Sequence, residues 1–88
     1  MSVYLIGYDL NKSGHDYDGL YKAIQSFGSW CHVLDSTWVV WANSAQEVQA
    51  RIQPHIDSND TFFIVRITTD YVGWLPENVW EWVHKLVI

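Results

Sequence analysis

The chain has 88 residues, 49% of them hydrophobic and 17% charged, with a formal net charge of −5. That suffices for one domain with a modest core and argues against intrinsic disorder. Its basic residues, Lys12, Lys22, Arg51, Arg66 and Lys85, form no cluster, which disfavours an extended duplex nucleic acid, whose binding neutralises several phosphates at once.

Cys31 is the only cysteine, which excludes an intrachain disulfide and a cysteine-based zinc site within one chain. Beside Trp30 and close to Val33 it reads as a buried structural thiol. No basic segment followed by a long apolar stretch opens the chain, and no run approaches the roughly 20 apolar residues of a membrane span. A cytoplasmic protein without a membrane association is expected.

In chain order, Val3 to Tyr8 is apolar, uncharged and too short for a typical helix, so it reads as a buried strand. Asp9 puts a carboxylate at its end, ahead of the polar turn Asn11 to Asp16. Tyr17, Leu20, Tyr21, Ile24 and Phe27 then recur at helical spacing, with Asp16 suited to the N-cap and Gly28 to the stop. Trp30 to Leu34 and Thr37 to Ala42 are β-rich runs flanking Asp35-Ser36, a predicted hairpin.

Ser44-Ala45-Gln46-Glu47 fits a capping box, in which hydroxyl and carboxylate each satisfy the other residue's backbone amide. Val48 and Ile52 mark the buried side of a second helix, and Pro54 ends or kinks it. Asp57-Ser58-Asn59-Asp60 reads as a solvated turn, lacking the length and terminal Glu of a calcium loop. Thr61 to Thr68 is the fourth strand. Gly73-Trp74-Leu75-Pro76 introduces a last helix, favoured by Pro76 and Glu77 at its start, with Val79, Val83, Leu86 and Val87 on one face.

The order β-α-β-β-α-β plus a helix is the ferredoxin-like α+β pattern, an antiparallel four-stranded sheet with two helices on one face. The chain is expected to be a single domain over residues 1–88, with a core at 3–68 and a Trp-rich C-terminal helix at about 75–88. The sheet's second face needs a cover, either the last helix or a second subunit, and a homodimer is the expected form.

Six tryptophans call for an account. By the two-residue strand period, Trp38 and Val40 share one sheet face and Val39 and Trp41 the other. Trp80 and Trp82 cannot point the same way along one helix. Aromatics stack nucleobases, but core and interface packing accounts for most Trp in small domains. The residues singled out for binding are Tyr8, Ser36, Trp38, Trp80 and Trp82. His15, Asp16 and Asp18 match no specific ligand spacing, and His32, His55 and His84 stand apart from one another. No Gly-rich phosphate loop or nucleophile elbow is present.

Three elements bear a resemblance: Tyr8-Asp9-Leu10 closing the first strand, Gly28 after the first helix, and Ser36-Thr37-Trp38 opening the third strand. Over about residues 3 to 68 the chain resembles the small CRISPR adaptation subunit, the Cas-two family, and its VapD-type toxin relatives. It is still more similar to short SinR-like proteins with Tyr-Asp-Leu, Ser-Thr-Trp and Gly-Trp-Leu. The resemblance implies a metal-binding role for Asp9, paired with its mate across a dimer, and a setting in phage–host conflict or toxin–antitoxin systems. Nucleic-acid-binding members carry arginines after this strand, where this chain has only Lys12.

Two functions follow as expectations. The first is a homodimeric, non-catalytic binding module for a protein or small nucleotide, favoured by the acidic balance. The alternative is a metal-dependent RNA or DNA endonuclease with Asp9 as catalytic residue and Mg²⁺ ligand, the metal activating water and stabilising phosphoryl charge.

Overall fold

A computed structural model describes residues 1–10 and 17–87. Their elements are strand β1 (Ser2–Asp9), helix α1 (Asp18–Gln25), strands β2 (Trp30–Leu34) and β3 (Thr37–Ala42), helix α2 (Ala45–Ile52) with a 3₁₀ turn (Gln53–His55), strand β4 (Thr61–Ile67) and helix α3 (Glu77–Leu86). The sheet is antiparallel in the order β2-β3-β1-β4. This is the ferredoxin-like topology with an added C-terminal helix.

Strand alternation splits the apolar residues between two cores. Tyr4 and Ile6 of β1, opposite Val40 and Trp38 of β3, meet Leu20 and Ile24 of α1 and Val48 and Ile52 of α2. Val3 and Val39 face the other way and meet Val79 and Val83, four residues apart on one side of α3, and Val87 just beyond its end. Burying each such aliphatic side chain stabilises by about 1.5–3 kcal/mol. The second sheet face is therefore covered in part within the chain, by α3, with Phe63 and Val65 of β4 left exposed.

Three local details differ from the expectations. Gly28 does not end α1: the helix stops at Gln25, where the Ser26 and Phe27 amides bond the Ala23 and Ile24 carbonyls at 3.2 and 3.3 Å. These 3₁₀ bonds occupy the terminal carbonyls without a left-handed glycine. In the capping box, the Glu47 amide donates to Ser44 Oγ at 3.1 Å, but the Glu47 carboxylate takes the Asn43 amide at 2.9 Å, one residue before Ser44. Asp60 does not lie in a solvated turn. It is buried and accepts from the Tyr17 hydroxyl and the Asp57 amide, each at 2.9 Å. The proposed cap Asp16 and its neighbour His15 lie outside the described residues.

Candidate functional site: an apolar groove on the second sheet face

The residues singled out from the sequence fall on opposite sides of the sheet. Tyr8, Ser36 and Trp38 come together where β1 meets the β2–β3 turn. The Tyr8 amide donates to the Ser36 carbonyl at 3.1 Å, and the Trp38 indole N–H donates to the Tyr8 hydroxyl at 3.0 Å. His32 stacks on Trp38 with centroids 3.9 Å apart and planes 4° from parallel. Tyr21 and Trp30 pack around the same indole, at 6.1 and 5.5 Å. Trp38 is only 4% exposed, so this cluster is filled by its own members and forms packing, not a cage. Burial raises the Tyr8 hydroxyl above its ordinary pKa of 10, against the Trp38 N–H, which favours the phenolate.

Asp9 follows Tyr8 but points to the opposite face by strand alternation. It pairs with Thr61 at the sheet's end, and a shallow recess of about 240 Å³ runs between Gly7, Asp9, Thr61 and Phe63. Among the described residues, no three His, Cys, Asp or Glu side chains are grouped to hold a metal ion. Magnesium demands near-octahedral oxygen coordination, usually with more than one anionic donor, and the recess beside Asp9 supplies an aromatic ring and a hydroxyl instead. The expectation of a Mg²⁺ cofactor is corrected accordingly.

Trp80 and Trp82 are both half-buried, packed at the margins of the α3 core. Trp80 stacks with Tyr71 at 5.8 Å and with His84 at 5.3 Å, which fixes the loop before α3 against the helix. Cys31 is half-buried beside the same core, and burial pushes its thiol pKa up, away from the reactive thiolate.

A further recess of this face brings residues singled out from the sequence, Val39, Trp80 and Val83, together with others that were not. α3 and the segment Tyr71–Leu75 leave an apolar groove of about 330 Å³. Leu5, Val33, Val39 and Ile67 belong to its sheet side, Tyr71, Val72, Trp74 and Leu75 to the segment, and Trp80 and Val83 to the helix. Thr37 also lines it, and among the described residues no charged side chain does. At its rim Trp74 is 99% exposed, Val72 97% and Leu34 56%. Leaving an indole in water forgoes roughly 2–3 kcal/mol of burial, and three large apolar groups around one groove make it the candidate site of this face. The available sequence signal was Val72-Gly73-Trp74-Leu75 itself, an apolar run with neither helical nor strand period ahead of Pro76.

No protein-family model matches the chain.

Proposed function

We propose that this protein is a homodimeric, non-catalytic binding module whose ligand is an apolar segment of another protein. The observation that carries this reading is the groove, hydrocarbon-lined and rimmed by the exposed Trp74, Val72 and Leu34. A protein segment suits it better than a nucleotide. Phosphates are held by cationic side chains or by amides at helix starts, and among the described residues no Lys or Arg lines the groove. Exposed indoles are typical anchors of protein interfaces. The absence of a metal-binding cluster among the described residues weighs on the same side, against a metal-dependent nuclease.

Peptide-library selection on the folded protein tests the reading, with Trp74→Ala and Leu34→Ser as counter-selection baits. The expected result is a set of peptides with two or more large apolar residues that bind the parent chain and lose at least tenfold affinity on either variant. Peptides that bind all three proteins equally would place the site elsewhere. Cleavage of RNA or DNA by the purified chain, abolished by Asp9→Ala, would overturn the non-catalytic assignment.

A further inference from the structure

Among the described residues, no strand pairs with the outer edge of β4. β4 and β2 are the two edge strands, and β2 carries a register irregularity between His32 and Leu34, a feature that blunts pairing. β4, by contrast, runs seven residues as Thr-Phe-Phe-Ile-Val-Arg-Ile, with no Gly, no Pro and one charge. On the row it shares with Ile67, the α3 side of the sheet, Phe63 is 69% exposed and Val65 is also exposed.

We propose that β4 pairs antiparallel with β4 of a second copy, about a two-fold axis at Ile64, joining two four-stranded sheets into one of eight strands. This rests on the homodimeric reading above and names its seam. Ile64 is the middle residue of Thr61–Ile67, so this register gives the longest overlap. It sets Phe63 of each chain directly opposite Val65 of the other, on one face, which covers the exposed ring with a β-branched side chain. On the other face it sets Arg66 opposite Phe62, a cation over an aromatic edge strand. The strand is therefore complementary to itself, as a two-fold interface requires. Each chain has a net charge of −5, yet the seam's only charged residue is basic, so acid–acid repulsion does not act there. In this dimer the two Asp9 residues sit three strand spacings and six residues apart, about 25 Å.

Sedimentation and cysteine cross-linking test the seam. The wild type is expected to sediment at twice the 10.3 kDa chain mass and Phe63→Asp as a monomer with an unchanged circular dichroism spectrum. Directly opposed residues place their Cβ atoms about 4.5–5.5 Å apart, close to disulfide reach. In a Cys31→Ser background, an oxidised mixture of Phe63→Cys and Val65→Cys chains is therefore expected to cross-link, and neither variant alone. A wild type that is monomeric throughout a concentration series overturns both the seam and the homodimeric reading. A dimer that survives Phe63→Asp and forms no mixed disulfide overturns the seam alone.

Discussion

The Trp38 indole donates to the Tyr8 hydroxyl at 3.0 Å, across neighbouring strands and on the face covered by α1 and α2. The hydroxyl in turn lies 3.4 Å from the Asp35 carbonyl, so one phenol ties the end of β1 to the β2–β3 turn. Tyr8→Phe removes the acceptor of a largely buried N–H, and a loss of about 1–3 kcal/mol is expected in urea denaturation. The same hydroxyl has a raised pKa. Its contribution is whole below the unfolded value near 10 and declines as pH rises toward and through the folded value. Thermal melts above pH 10 should therefore fall more steeply for wild type than for Tyr8→Phe.

Tyr17 stands just before α1 and donates to the buried carboxylate of Asp60, 43 residues later. Tyr17→Phe keeps the ring in the core but withdraws a hydrogen bond to an acidic group. Chemical denaturation should register a loss of about 1.5–3 kcal/mol, with an unchanged m-value. A loss below 0.5 kcal/mol would show that other partners of Asp60 suffice.

At the start of α2, Ser44→Ala deletes the side chain that caps the Glu47 amide, and about 1 kcal/mol of stability should go with it. Glu47 adds a pH dependence. The Asn43 amide holds its carboxyl below the ordinary 4.5, with the Asn43 side chain and Arg51 adding to the effect. That stabilisation is present above the unfolded value and is lost as pH falls through the folded one. Glu47→Gln should accordingly flatten the acid limb of a stability–pH curve below pH 4.5.

Trp74 and Ile24 separate binding from folding. Ile24 is fully buried between α1 and the sheet, and Ile24→Ala should cost about 2–5 kcal/mol. Trp74→Ala, at a site almost wholly in water, should alter stability by no more than about 0.5 kcal/mol while abolishing peptide binding at the groove. A large stability loss in Trp74→Ala would mean that the indole packs in the folded chain.

The strands were readable because their cause is local. Val3 to Tyr8, Trp30 to Leu34 and Thr37 to Ala42 each combine β-branched and aromatic residues with turn residues beside them, and the observed limits differ by at most one residue. The two-residue period likewise placed Trp38 and Trp41 on opposite faces. The site was less legible. Asp9 looked reactive because a carboxylate after an apolar strand is conspicuous, whereas the groove is built from residues as distant as Leu5 and Trp80. Single side chains such as Val33 or Ile67 read as ordinary strand packing.

By itself, the sequence determined the order of elements, their periodicity and the division of apolar side chains between two sheet faces. These follow from backbone geometry and neighbouring side chains. Only the tertiary structure decided that α3 lies on its own sheet, that it leaves an open groove beside Tyr71–Leu75, and that Asp60 is buried under Tyr17. Each depends on which apolar or polar surfaces meet across tens of residues, and burial is won by the whole packing arrangement, not by any one segment.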